Sequence, residues 1–456
     1  MTQTAAAQAT PSLRAIAKIW WPLAASWLLM AAELPAISAV MARLVDPNIS
    51  LAAYGGVVFP LALIIESPVI MLLAASTTLS KDWDSYRKIR RYMMSAGAIL
   101  TVLHVLIAFT PLYYLVVKGL LGVPQEIVEP GRLGLMILLP WSWSIAYRRF
   151  NQGVLIRFGH SRDVGFGTVV RLSAEAIVLV CGFVLATLPG SVAGSVPGVA
   201  IGAGAVAAGV LSEAAFIGLR VQPVLRGALR QAPRAEPALT MPGFIAFYVP
   251  LVLTSLLSLL IEPLGSAALS RMPNPLHSLA VWPVVHGLIF MLQSVGIALN
   301  EVVVTYLDQP HAARYLRRFT LILVGATTSL LLIIVATPLS QLWFSRVAAL
   351  EAPLVEMARI GLLLALPMPA VGALQSWFQG AILHSRRTRG ITESVGVYMV
   401  TVGTLLLAGV AYGQITGLYA GMVAFASGMI LQTAWLWFRS RPAMRQVRER
   451  DAALMV

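Results

Sequence analysis

Twelve apolar runs, each long enough to cross a bilayer, constrain this chain more than any other feature. They lie near residues 15–42, 51–79, 92–116, 131–157, 165–187, 197–219, 243–270, 276–307, 317–344, 354–383, 391–412 and 416–438. About 20 apolar residues span the hydrocarbon core as a helix. Lipid offers the backbone no hydrogen-bond partner, so each such run must satisfy its own amides. The expected fold class is therefore an all-α polytopic membrane protein of about twelve transmembrane helices. A composition of 58% hydrophobic and 11% charged residues agrees, as does a mean hydropathy of +0.80. The first run is too long for a signal peptide and has a counterpart at 243–270, so it is expected to belong to the mature chain. The longest polar gap, 221–240, is too short for a soluble domain, and the single Cys181 excludes an internal disulfide.

Lysine and arginine resist translocation near helix ends, which orients the spans. With both termini placed inside, 24 of the 33 basic residues fall on the cytoplasmic side, in sets such as Arg87–Arg91, Arg314–Arg318, Arg386–Arg389 and Arg439–Arg450. The net charge of +14 is then a topology signal and a contact for anionic membrane lipids, with no need of nucleic acid. The expected location is the plasma membrane, or the inner membrane of a bacterium.

A repeat organises the chain. PLAASWLLMAAELPAISAVMAR at 22–43 matches PLVLTSLLSLLIEPLGSAALSR at 250–271, RKIRRY at 87–92 matches RYLRRF at 314–319, and VEPGRLGLMILLP at 128–140 matches VEMARIGLLLALP at 355–367. The spacing holds at 227 or 228 residues. Two six-helix lobes, 1–226 and 227–456, are expected. Six spans per lobe is an even number, so both lobes share one orientation, the pattern of an alternating-access transporter. A duplicated scaffold without transport is the alternative.

One run is charged in its middle. LLPWSWSIAYRRFNQGVLIRFG at 138–159 carries Arg148 and Arg149, and one arginine near mid-helix costs roughly 3 kcal/mol on insertion scales. Offset by 227, Arg148 falls on Gln375, Arg149 on Ser376 and Gln152 on Gln379. Positions 148 and 152 share a helix face, as do 375 and 379. A polar stripe within the membrane faces protein or water, so Arg148, Arg149, Gln152, Gln375 and Gln379 are candidate binding residues for a small anionic substrate. Snorkelling toward the cytoplasm runs against the lean of helical side chains. Pairing of the arginines with Glu175 or Glu213 is the competing reading.

Acids inside the spans form a second set: Glu33, Glu66, Glu175, Glu213, Glu262 and Glu301. Glu33 lies near Pro35, and Glu262 precedes Pro263. A carboxylate beside a proline-broken turn can bind a proton or sodium ion, with freed carbonyls as further ligands. Glu33 and Glu262, then Glu66 and Glu175, are the candidate ion-coupling residues, and plain internal hydrogen bonding is the alternative. Glu175 lies four residues from Arg171, the spacing of an ion pair. His104 and His286 are read either as proton relays or as satisfied core residues. Glu129 with Arg132 and Glu356 with Arg359 have the spacing of surface ion pairs. No GxxxxGK[ST], HExxH, GxSxG or paired-cysteine pattern is present, so neither an enzyme nor a resident metal or organic cofactor is expected, only a coupling H⁺ or Na⁺. A functional monomer is expected.

The twin six-helix repeat resembles the multidrug, oligosaccharidyl-lipid and polysaccharide exporter superfamily, whose members include the MATE transporters. LAAYGG at 51–56, LSKDWDSYRKIRR at 79–91, GAILTVLHVLIAFTPLYY at 97–114 and LPMPAVGALQSWFQGAIL at 366–383 resemble stretches of the progressive ankylosis protein family within it. The resemblance implies a MATE-like, V-shaped two-lobe exporter, and for that branch export of anions such as pyrophosphate, nucleotides or citrate. A cation-coupled multidrug antiporter and a lipid-linked diphosphate flippase remain the alternatives within the superfamily.

Overall fold

A computed structural model describes residues 12–190, 192–385 and 389–453. Arg386 and Arg387 of the expected cytoplasmic set lie outside the described residues. The chain is helical, with no strand among the described residues. Among the described residues eleven helices are long and apolar enough to cross a membrane: α1 (Leu13–Met41), α2 (Pro47–Leu79), α3 (Trp83–Phe109), α5 (Ser161–Thr187), α6 (Gly198–Gln231), α7 (Met241–Leu269), α8 (Pro275–Tyr306), α9 (Ala312–Ala336), α10 (Ala352–His384), α11 (Arg389–Tyr412) and α12 (Gly417–Ala453). The twelfth expected span, α4, is helical as Val128–Ile137 and Pro140–Arg157. It falls short on apolarity because Arg148, Arg149, Asn151 and Gln152 interrupt it, which makes it the exceptional helix of the bundle.

The repeat is visible in the irregularities. The breaks in α4 and α10 come just before Pro140 and Pro367, where a missing N–H and a ring clash stop the preceding helix. Asp46 and Asn274 take positive φ of 48° and 56° immediately ahead of α2 and α8. Gly122 at φ 67° corresponds to Ala349 at φ 53°. Alanine pays a steric cost in that left-handed region that glycine does not. Ala349→Gly is therefore expected to stabilise the protein by about 1 kcal/mol, read as a raised melting temperature in detergent. A lowered melting temperature would contradict this.

By packing, the chain divides into two compact units. One is Ile37–Trp282, and the other comprises the residues up to Ala36 with those from Pro283 on. These bounds differ from the halves of the repeat, because each half gives up its first helix. In the first unit α7 packs on α2 and α3. Tyr248 donates to the Pro68 carbonyl at 2.6 Å, Phe244 meets Tyr92 edge-on at 4.9 Å, and Ser266 donates to the Gly56 carbonyl. In the second unit α1 packs with α8 and α9. The Trp20 indole N–H donates to the Val295 carbonyl at 3.0 Å, and Ile16 joins Leu299, Val302, Leu316 and Trp377 in one apolar core. Sequence correspondence records duplication and carries no information on which neighbours a helix packs against.

Inside each unit close contacts are made where glycine permits them. The Gly153 position of α4 faces the Leu73 carbonyl and Ser76 of α2, and Gly380 of α10 faces the Asn300 carbonyl and Val303 of α8 at the corresponding places. Large apolar side chains such as Ile99, Ile177, Val400 and Leu407 are mostly exposed, 63–72%, as lipid-facing residues must be. The polar link after α6 is clipped to α3, where Asp82 caps the helix with Ser85 and accepts from the Ala235 N–H at 2.8 Å. Partial burial works to raise the Asp82 carboxyl, but the Ser85 and Ala235 hydrogen bonds, aided by Lys88, hold it below the usual carboxylate range.

Candidate functional site

The charges of α4 are gathered into a buried cluster in the first unit. Arg148 donates to Glu213 of α6, and Gln152, one turn on, donates to the other oxygen of the same carboxylate at 2.8 Å. The shared face of positions 148 and 152 is thus occupied by Glu213. Arg171 of α5 lies 3.6 Å from Glu175, the partner its spacing predicts, and 3.6 Å from Glu213 as well. Glu175 fits because residue 209 of α6 is glycine: a Cβ there would come within 2.4 Å of it.

Glu66 of α2 completes the set. It is 4% exposed, adjoins Trp141, and feels the charge of Arg149 most, then those of Arg148 and Arg171. Three guanidinium groups face three carboxyls, formally neutral. The cluster is not saturated, however. Glu66 Oε2, Arg148 Nε, Arg149 Nε and Gln152 Oε1 are buried with no hydrogen-bond partner among the described residues. Native interiors rarely leave such atoms unmet, and a water, an ion or a ligand can satisfy them. Arg149 is half-buried, and among the described residues no ion pair within 4.0 Å holds it as Glu213 holds Arg148.

The second unit contains the same positions without the charge. Residues of α2 to α5 correspond to those of α8 to α11 at 227, and α6 to α12 at 219, the offset that aligns Gly198, Gly202 and Gly209 with Gly417, Gly421 and Gly428. Glu66 then corresponds to Gln293, Arg148 to Gln375, Arg149 to Ser376, Arg171 to Tyr398, Glu175 to Val402 and Glu213 to Gln432. The contacts correspond too. Gln375 donates to Gln432 at 3.0 Å where Arg148 meets Glu213. A Cβ on Gly428 would meet Val402 at 2.5 Å, as one on Gly209 would meet Glu175. Gln293 donates to the carbonyl of Met368 at 3.3 Å, and Met368 is the counterpart of Trp141. A neutral set therefore holds the same helices together.

The other sequence candidates fall elsewhere. Gln375 belongs to the neutral counterpart and Gln379 lies one turn further along α10 in the second unit. Glu33 follows a turn residue at Ala32, but Ala32 donates to the Leu28 carbonyl at 3.0 Å and accepts from the Ala36 N–H at 3.1 Å, so α1 continues through it and the broken turn expected beside Glu33 is not formed. Glu262 corrects its expectation: α7 is unbroken from Met241 to Leu269 through Pro250 and Pro263, and no opened turn surrounds the carboxylate. One proline removes a single ladder bond, which packing on both sides can tolerate. His104 is a satisfied core residue, its two ring nitrogens bonded to Ser142 at 3.0 Å and the Leu135 carbonyl at 2.9 Å. Glu356 and Arg359 pair at 3.0 Å, whereas Arg132 reaches Glu129 through the Tyr114 hydroxyl, at 2.9 Å and 2.8 Å. Among the described residues no group of three or more His, Cys, Asp or Glu is placed to hold a metal ion.

No protein-family model and no curated protein matches the sequence. Solved structures do match. An inward-facing multidrug resistance MATE family transporter of the MOP superfamily aligns with TM-score 0.69 at 13% identity, over 95% of this chain and 99% of the other. The fold is that of the MATE-like transporters. The lipid II flippase MurJ, in an inward closed conformation, aligns with TM-score 0.68 at 12% identity, over 95% and 91% of the two chains. A MOP superfamily transporter from Pyrococcus furiosus, whose binding pocket is described as of reverse polarity and suggestive of a different function, aligns with TM-score 0.58 at 14% identity, over 98% and 100%. Glu66, Arg148, Arg171, Glu175 and Glu213 of this cluster are five of the seven buried charged residues among those described, the others being Asp82 and Asp163.

Proposed function

We propose that the chain is a secondary exporter of an organic or phosphate-bearing anion, of the pyrophosphate, nucleotide or citrate class, acting by alternating access. The observation that carries this reading is the buried cluster whose six positions are all uncharged in the repeat. The fold supports transport, and the reverse polarity described for the binding pocket of the Pyrococcus furiosus protein supports variation of pocket polarity on that fold. The segments resembling the progressive ankylosis family point to the same class of anion.

In this reading Arg149 supplies the attracting charge, while Glu213 holds Arg148 and Gln152 in place. Glu66 is the coupling residue. When its carboxyl takes up a proton, three guanidinium groups face two carboxylates, and the cluster acquires one net positive charge that an entering anion neutralises. When the proton leaves, the cluster is neutral again and its hold on the anion weakens, so proton and anion leave together and export draws on the anion's own gradient. Glu175 stays paired with Arg171. Glu33, two residues before Pro35, is a second coupling position for a proton or a sodium ion. In this reading both termini are cytoplasmic, which the basic loops favour, and the protein acts as a monomer in the plasma membrane in contact with anionic lipids.

The test is uptake of pyrophosphate, ATP and citrate into proteoliposomes with and without an imposed pH gradient. One anion is expected to accumulate, and to do so faster with the gradient. Movement of a cationic drug or of a lipid-linked diphosphate instead, or no flux of any solute, would overturn the reading in favour of an antiporter, a flippase or a scaffold.

A further inference from the structure

A second arginine-rich feature is present in both units. In the first, a cavity of about 460 Å³ opens where α3, α4 and the end of α6 meet. Trp83, Tyr86 and Phe150 form its aromatic wall, and Arg90, Arg226 and Arg230 reach into it. Trp83 and Tyr86 stack at 5.3 Å, Tyr86 and Phe150 lie 5.3 Å apart, and Arg230 sits 5.0 Å over the Trp83 ring. No carboxylate lines this cavity, and none of the three arginines has an acidic partner among the described residues. Three uncompensated guanidinium groups converging on one concavity are an anion site by charge and by hydrogen-bond geometry.

The second unit has a cavity of about 870 Å³ at the corresponding place, between α9, α10 and α12. Arg90 corresponds to Arg317, Met93 to Thr320, Phe150 to Trp377, Asn151 to Phe378, Gln222 to Arg441 and Leu225 to Met444, and both members of each pair line their own cavity. Arg314, Arg318 and Arg448 add charge, and Arg441 lies 3.8 Å over the Trp437 ring. The one acid in this lining, Asp451, pairs with Arg450 at 2.8 Å. The buried cluster of the candidate transport site lost its charge in one half, whereas these cavities keep an arginine and an aromatic ring in both. A feature common to both halves serves something both halves meet.

What both halves meet is the membrane surface. Arg90 lies seven residues into α3 from Trp83, about 10 Å along the helix, and the lipid-exposed side chains of that helix begin at Met94 and Ile99. Arg317 stands likewise in the second turn of α9, ahead of the exposed Leu321 and Ile322. The arginines thus lie at headgroup depth, at the start of the apolar band. Arg90 and Arg317 both belong to the basic sets that the sequence assigns to the cytoplasmic side. We propose that the two cavities bind the phosphate headgroup of an acidic phospholipid, one lipid to each unit. The guanidinium groups hold the phosphate, and the aromatic rings receive the glycerol and upper acyl carbons.

The test is native mass spectrometry of the full chain in detergent with phosphatidylglycerol or phosphatidylcholine added. Two tightly retained phosphatidylglycerol molecules are expected. Arg90→Gln with Arg226→Gln and Arg230→Gln should remove one of them, lowering affinity at that site about tenfold. Arg317→Gln with Arg441→Gln and Arg448→Gln should remove the other. These side chains are exposed and have no acidic partner among the described residues, so circular dichroism should not change and melting should shift only slightly, and lysine at the same positions should restore retention. Equal retention of phosphatidylcholine, or no change in either triple variant, would overturn the proposal. Displacement of the lipid by inorganic pyrophosphate at equimolar concentration would assign the cavities to a soluble phosphate and overturn the lipid assignment.

Discussion

Glu213→Ala is expected to destabilise the protein by about 3–5 kcal/mol, the cost of removing one partner of a buried ion pair. Glu213 is 1% exposed and serves Arg148, Gln152 and Arg171 together. Its loss leaves a guanidinium and an amide buried with nothing to accept their hydrogens. The paired change Arg148→Gln with Glu213→Gln should recover most of that stability, because it recreates the Gln375–Gln432 contact found at 3.0 Å in the other unit. Thermal unfolding in detergent, following loss of helical signal, measures both. A single variant as stable as the native protein, or a double variant no better than the single, would contradict the account of the cluster.

The second large effect is steric. Gly153→Val is expected to cost about 3 kcal/mol or more, because even a Cβ there would lie 2.6 Å from the Leu73 carbonyl oxygen and 2.9 Å from the Thr77 nitrogen. Both are backbone atoms of α2 and cannot swing aside. This contact sets the spacing between α2, which carries Glu66, and α4, which carries Arg149. Forcing it open should therefore lower the yield of monodisperse protein as well as its melting temperature. A valine variant that purifies and melts like the native protein would show that α2 and α4 do not pack as described.

Most of the helices are legible as apolar runs, since the bilayer demands length and apolarity from every span. The one helix that fails the apolar test is also the one whose two arginines stand out in the sequence. That Arg148 and Gln152 share a face follows from helical geometry, but what occupies the face does not. Glu213 is 61 residues beyond Gln152 and reaches it only through the packing of α6 on α4. The glycines of α6 and α12 were the available signal: aligned at an offset of 219, they place Glu213 opposite Gln432 and show the cluster to be charged in one half alone. The exchange of α1 and α7 between packing units is not legible in the repeat, because the two helices are similar in sequence and equally apolar. The unbroken α7 at Pro263 was hidden for a related reason, since proline weakens a helix locally while neighbouring helices decide whether it opens.

The central claim is that the buried charge is there for an anion and not for the fold. It is tested most directly by one variant carrying Glu66→Gln, Arg148→Gln, Arg149→Ser and Glu213→Gln, each the residue found at the corresponding position of the second half. Pyrophosphate, ATP and citrate uptake would be measured in proteoliposomes beside the native protein. The account predicts a folded, monodisperse variant that has lost the anion flux of the native protein and its response to a pH gradient. A folded variant that moves the same anion at the native rate would contradict it and reduce the cluster to a set of structural ion pairs.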